Sequence, residues 1–372
     1  MPTLPDVLYL LAWNGYEDQA YKGSMTCREA REDDRILFPH IINKKFGKRK
    51  RTIIQFLADY YGTERGIPHI ERLIRLGADP DIPDESCLLH TPFMETCYFG
   101  DNNRMEMFKY LLPKVNIHGQ GGWPPLALVS MYADCRIKQQ LLIDHGADVN
   151  RITDGETVLY TVCRYAHEDT HVNSIRFLLD HGADHTIACY GRTPLEVCID
   201  EGHVDIAKLL MKCGASIPDV NMVLLEAVEE NNVKKVRTLL ACGVCPNTMV
   251  EEKPILFHVD GIITPEKAEI IKLLCDAGAD VNAKASVAIF DTKNFLFKTV
   301  MEPFLYEMAR EYIRNKNKDT FAVIKTLIAK GAEPPPLKMC NSIPTFKQNP
   351  FDYVEMNVLF MKARWATKAA KV

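Results

Sequence analysis

Long apolar runs are missing from this 372-residue sequence. The N-terminus offers only Val7-Leu8-Tyr9-Leu10-Leu11-Ala12-Trp13, preceded by Asp6 and by no basic residue. That run is too short to span a bilayer and lacks the charged lead of a secretory signal, and no later stretch reaches spanning length. Positive charge is not in excess either. Lys and Arg number 45 against 49 Asp and Glu, a formal charge of -4, which gives no global pull toward nucleic acid or anionic membrane. A Gly-rich phosphate loop, a Gly-x-Ser-x-Gly elbow and the kinase phrases are all absent, so common routes to phosphoryl and acyl transfer are not written here. The expectation is a chain without cofactor, nucleic acid, membrane or small-molecule substrate.

Twelve cysteines are present, yet extracellular disulfide frameworks belong to short, loop-rich chains. Several of these cysteines fall inside apolar helical patterns. A reduced protein of the cytoplasm is expected, with the nucleus as an alternative, or the host cytoplasm if the source is a pathogen.

What the sequence does have is a recurring phrase: two apolar residues, a few variable ones, then Gly-Ala-Asp or a relative. It begins at Leu73, Leu141, Leu178, Leu209, Leu239, Leu273 and Leu327, with a degenerate copy at Leu111 that puts Val115 in the glycine's place. From Gly77 to Gly278 the mean period is about 33.5 residues, which falls in the range of helical repeat arrays.

The clearest copy is GRTPLEVCIDEGHVDIAKLLMKCGAS, Gly191 to Ser216. Thr193 suits an N-cap, Pro194 the first helical position, and Glu196 completes a capping box. Leu195, Cys198 and Ile199 share one helical face. Gly202 breaks the pair; Ile206, Leu209 and Leu210 form the inward face of a second helix, and Gly214 supplies a left-handed stop. This copy resembles the ankyrin repeat position by position, and the resemblance runs over about residues 50 to 335. The histidine of the family's Thr-Pro-Leu-His phrase is replaced by Glu196 or Tyr160.

The resemblance implies an all-α ankyrin-repeat solenoid of about eight helix-turn-helix units with short finger hairpins. A helical cap is expected over 1–49, repeats over 50–335 and a second helical cap over 336–372, where Asn349-Pro350 would start a helix carrying Phe351, Val354, Val358 and Leu359. The interval between Gly278 and Gly331 is stretched by about twenty residues, including Phe290, Phe295, Phe297 and Phe304, and a lengthened helix pair is expected there. Cys97, Cys163 and Cys198 take small-residue positions of first helices, and Cys213, Cys242 and Cys275 lie in last turns of second helices, where packing explains most of them.

Three patterns invite other chemistry. His167-Glu168-Asp169-Thr170-His171 matches the zinc-protease motif, in which two histidines one helical turn apart ligate zinc and the glutamate activates water. Aligned on Thr157 and Leu178, however, it falls in a lengthened inter-helix loop, so a zinc-dependent hydrolase is the alternative and no metal is the expectation. Cys242-Gly-Val-Cys245 lacks the second pair of a zinc ribbon. Lys48-Arg49-Lys50-Arg51 could be read by nuclear import or be a solvated linker.

Ankyrin proteins bind other proteins, as scaffolds, adaptors, inhibitors or host-directed effectors. That resemblance, together with a chain nearly consumed by repeats, makes a non-enzymatic interaction module the expectation, binding its partner on the concave face of fingers and first helices. Trp123, Glu156 and Arg192 each follow a finger glycine and should point outward; Arg151 and Tyr190 lie near the finger tips and are counted with them. Trp, Tyr and Arg dominate binding energy at interfaces. Packing of Trp123 on Pro124 and Pro125 is the other reading. Asn150 and Asn282 close Gly-Ala-Asp-Val-Asn phrases that resemble the sites asparaginyl hydroxylases modify in other ankyrin proteins; hydrogen bonding between neighbouring fingers would account for them equally.

Overall fold

The computed structural model describes residues 43, 45, 50–60, 66–75, 77–85, 90–98, 104–118, 123–132, 135–167, 171–259, 261–291, 296–334 and 354–369. Most of the expected 1–49 cap and the Asn349-Pro350 helix start lie outside them. Two units make up the chain, residues 1–197 with 209–215, and residues 198–208 with 216–372.

The first unit contains helices α1 (Ile53–Tyr60), α2 (Ile67–Arg75), α3 (Pro92–Cys97), α4 (Met105–Leu111), α5 (Pro125–Ser130), α6 (Arg136–Asp144), α7 (Val158–Tyr165) and α8 (Val172–Asp180). A short finger, β1 (Ile152–Thr153) with β2 (Glu156–Thr157), stands before α7. Helices α9 (Pro194–Glu201) and α10 (Val204–Lys212) follow, and the chain passes between units within them. The second unit continues with α11 (Val220–Glu229), α12 (Val233–Ala241), finger β3 (Met249–Val250) and β4 (Lys253–Pro254), a 3-10 turn at Ile255–His258, and α13 (Pro265–Asp276). Strands β5 (Lys284–Asp291) and β6 (Leu296–Pro303) lead to α14 (Phe304–Asn315), α15 (Lys318–Ala329) and α16 (Val354–Ala369).

Local chemistry sets these boundaries. Thr193 accepts from the Glu196 backbone N–H at 3.3 Å while its own N–H donates to the Glu196 carboxylate at 2.7 Å, the reciprocal box expected at the start of α9. Thr157 caps α7 and Thr264 caps α13 by the hydroxyl alone, accepting from the Tyr160 and Lys267 backbone N–H groups. Gly146, Gly182, Gly214, Gly243, Gly278 and Gly331 stop second helices at φ between 90 and 99° or, for Gly182, 86°, a region where any other residue would be strained. Leu195, Cys198, Ile199, Ile206, Leu209 and Leu210 are all buried.

The degenerate second copy sits one residue out of the expected register. An aspartate two residues past the glycine accepts from the N–H two residues further on: Asp79 from Asp81, Asp148 from Asn150, Asp184 from Thr186, Asp280 from Asn282. Asn116 does the same for His118, so the glycine's place falls on Lys114 rather than Val115. With no glycine there the helix tightens into a 3-10 turn, Leu112–Lys114.

Fingers are tied together by asparagines. Asn150 donates to the Gly182 carbonyl at 2.9 Å and accepts from Asp184 N–H at 2.7 Å. Asn247 bridges Gly278 and Asp280, and Asn282 bridges Gly331 and Glu333, in the same two-pronged way. Asn43 does so with Gly77 and Asp79, so the ladder begins inside the segment expected to be a separate cap. Both amide ends of Asn150 and Asn282 are therefore engaged. Asn150→Ala should lose two such bonds and cost about 1–3 kcal/mol, read as a lower urea midpoint at an unchanged m-value; an unshifted midpoint would show that the ladder contributes nothing.

The stretched interval is mainly a hairpin. Strands β5 and β6 pair antiparallel from Lys284↔Pro303 to Asp291↔Leu296, bringing Phe290 opposite Phe297. The helices after it are also long, 12 residues each, so the expected lengthened helix pair accounts for only part of the insertion. Phe304 is buried and packs edge-on against Phe257 at 5.3 Å. In α16 the inward residues are Met356 and Phe360, while Val358 is exposed.

Cys97, Cys163, Cys198 and Cys275 are buried as expected, but Cys213 and Cys245 are exposed and Cys242 is half-buried. Burial pushes the Cys275 thiol up to about 11, which keeps it in the unreactive protonated form. Arg51 departs from the solvated-linker reading of the basic cluster. It is buried against Asp84 and Glu95, at 3.9 and 3.5 Å.

Candidate partner-binding face

In the first unit the face is built from finger tips and the ends of first helices. The β1–β2 finger turns through Asp154 and Gly155 at φ 50 and 85°, the left-handed pair that a two-residue hairpin favours. The next finger turns through Tyr190 and Gly191 at φ 52 and 76°, with Cys189 and Arg192 bridged beneath. A tyrosine in the left-handed region is strained, and its surroundings fix where the ring goes. Its hydroxyl donates to the Asp154 carbonyl at 2.6 Å. A Cβ on Gly155 would come within 3.1 Å of that hydroxyl, so the neighbouring glycine leaves the space the ring uses. Tyr190 also meets Tyr160 edge-on at 6.3 Å, yet stays 64% exposed.

Tyr160, standing where the family has histidine, is fully buried with Cys189 and Val197, and its hydroxyl has no hydrogen-bond partner. Burial pushes its pKa up, with the Arg192 charge opposing.

The proposed contact residues divide. Arg151 and Arg192 are exposed, and Trp123 is half-buried. Trp123 packs on Tyr165 with ring centroids 4.9 Å apart, and the Arg164 guanidinium lies over Tyr165 at 5.2 Å. Glu156, expected to point outward, is buried instead. Its carboxylate pairs with Arg164 and accepts from the Thr161 hydroxyl at 3.1 Å. The bond to Glu156 is the main cause of a raised Arg164 pKa. The residue following a finger glycine thus turns inward where a cation eight residues later awaits it. Glu302 and Arg310 repeat this pairing at the same spacing, with Glu302 buried.

Sequence reading missed the tyrosines at the ends of first helices. Tyr98, Tyr132 and Tyr165 are 34 and 33 residues apart, the repeat period itself, so the signal was available. Tyr98 meets Tyr132 edge-on at 6.4 Å, and its hydroxyl bonds to His90 Nε2 at 2.5 Å.

The zinc-protease match does not assemble. His167 follows α7 and is exposed, whereas His171 precedes α8 and is buried, its Nε2 on the Met131 carbonyl at 2.8 Å. Glu168, Asp169 and Thr170 lie outside the described residues. Among the described residues, no group of three or more His, Cys, Asp or Glu is placed to hold a metal ion, and no helix is long and apolar enough to cross a membrane.

Comparison with known proteins agrees with this geometry. A family model for ankyrin repeats, three copies long, matches residues 126–221. The ankyrin repeat protein YahD of Escherichia coli (strain K12) is 30% identical over 149 residues, covering 39% of this chain and 73% of the relative. With helix pairs, glycine stops and asparagine-linked fingers on one side and these similarities on the other, the chain belongs to the ankyrin-repeat family.

Proposed function

We propose that this protein is a binder or adaptor that holds another protein on the finger and first-helix face of its first unit, through Trp123, Arg151, Tyr190 and Arg192. Ankyrin repeats mark protein–protein interaction modules, and the family is generally non-enzymatic. The observation that carries the finer reading is Tyr190, a large aromatic held in a strained backbone conformation, pinned by Asp154 and still mostly in solvent. An ordered, exposed aromatic loses little entropy on binding, which is what an anchor residue needs. Exposed Ile152 on the adjacent finger adds apolar area, and Arg151 and Arg192 supply donors at its edge. Glu156 is not part of this face, since Arg164 already holds it.

Site-specific photo-crosslinking tests the placement. A crosslinker at position 190 should capture a discrete partner in cells. The same group at Arg176, exposed on second helix α8, should not capture it. Equal capture from both positions, or capture from 176 alone, would move the interface off the fingers.

A further inference from the structure

The second unit carries exposed apolar groups of a different kind. Met222, Met249 and Met301 are 53, 57 and 59% exposed, and they lie on three successive repeats. Met222 opens first helix α11, Met249 stands on β3, and Met301 on β6. The Thr248 hydroxyl donates to Asn221 Oδ1 at 3.2 Å, which sets the residues next to Met222 and Met249 against one another. Strand β4 packs beside β5, and β5 pairs Ser286 with Met301. Methionine is flexible and polarisable, and exposed methionines suit adaptable apolar contacts.

The charge around them is mainly negative. Glu226 lies one helical turn after Met222 and shares buried Lys235 with Asp200. Glu229 and Glu230 end the same face, and exposed Glu251 and Glu252 form the tip of the β3–β4 finger, with exposed Lys253 and Lys284 as the cations beside them. The finger tip has a further peculiarity. Glu251 and Glu252 hold φ 48 and 63°, the turn positions that Asp154-Gly155 and Tyr190-Gly191 occupy in the first unit. Those two turns place glycine second, where the left-handed region is free of strain. This one keeps a second glutamate there.

We propose that the second unit bears its own docking surface, built on Met222, Met249 and Met301 and ringed by glutamates, whose occupant is a basic amphipathic helix of another protein. Its apolar side would lie on the methionines, and its lysines or arginines would meet Glu229, Glu230, Glu251 and Glu252. This surface is independent of the Trp123 and Tyr190 face and takes a partner of opposite charge to one drawn by Arg151 and Arg192.

The probe is a synthetic leucine–lysine peptide of about 18 residues, roughly 27 Å long as a helix, titrated into the full chain labelled at methionine methyls. A peptide of the same composition, scrambled to lack an apolar face, is the control. The Met222, Met249 and Met301 signals should shift together, with the other methionines as internal references. Replacing all three by Gln should weaken binding about tenfold or more with no change in Tm. Glu251→Gln with Glu252→Gln should weaken it and flatten its salt dependence. Glu252→Gly should raise Tm, by relieving the left-handed strain, while weakening the peptide. Methionine signals that do not move, a scrambled peptide that binds equally well, or Gln variants with undiminished affinity would each overturn the proposal.

Discussion

Replacing Arg51 by Ala should destabilise the protein by about 3–5 kcal/mol, as removal of one member of a buried ion pair does. The Arg51 side chain is 9% exposed, and those of Asp84 and Glu95 are 1 and 13%. Without it, two carboxylates stay in a poorly solvated site, Asp84 with its Oδ1 occupied by the His90 N–H. Arg51→Lys should recover part of the loss, because it restores the charge but not the planar fork. Chemical denaturation of the full chain measures this directly. A change below about 1 kcal/mol would mean that Arg51 behaves like an ordinary surface cation.

The second large effect is Leu178→Ala, expected at about 2–5 kcal/mol. Leu178 is fully buried in α8, and its carbonyl accepts from Ala183 N–H as the helix ends at Gly182. In an array where each repeat is held by its neighbours, the loss should spread. Native-state hydrogen exchange should show weakened protection in α7 and α6 as well as α8. Protection lost in α8 alone would contradict coupling between neighbouring repeats.

Much of this arrangement was legible because backbone constraints write themselves into residue type. A stop at φ near 90° calls for glycine, and seven of the eight phrases supply one at the repeat period. Thr193, Pro194 and Glu196 announce a helix start through capping chemistry alone. The degenerate copy misled for the same reason. With no glycine to mark the stop, the sequence alone puts Val115 in its place, and only the turn made by Asn116 fixes the register. The long hairpin was hidden because β5 and β6 are apolar runs whose pattern suits helix and strand alike, and no Asn-Gly or Asp-Gly marks the turn between them. Sequence position also could not separate Glu156 from Trp123 and Arg192, since all three follow a finger glycine. What separates them is a long-range partner, Arg164, and the same i, i+8 pairing of Glu302 with Arg310 is the pattern that would have shown it.

Binding of a protein to the finger face of the first unit is tested, once a partner has been captured through position 190, by that partner's affinity for wild-type protein and for Trp123→Ala. The variant should bind about 2 kcal/mol or more weaker, roughly 30-fold in Kd, with thermal stability unchanged. A variant that melts earlier yet binds its partner as tightly as wild type would make Trp123 a packing residue against Tyr165 and take it out of the binding face.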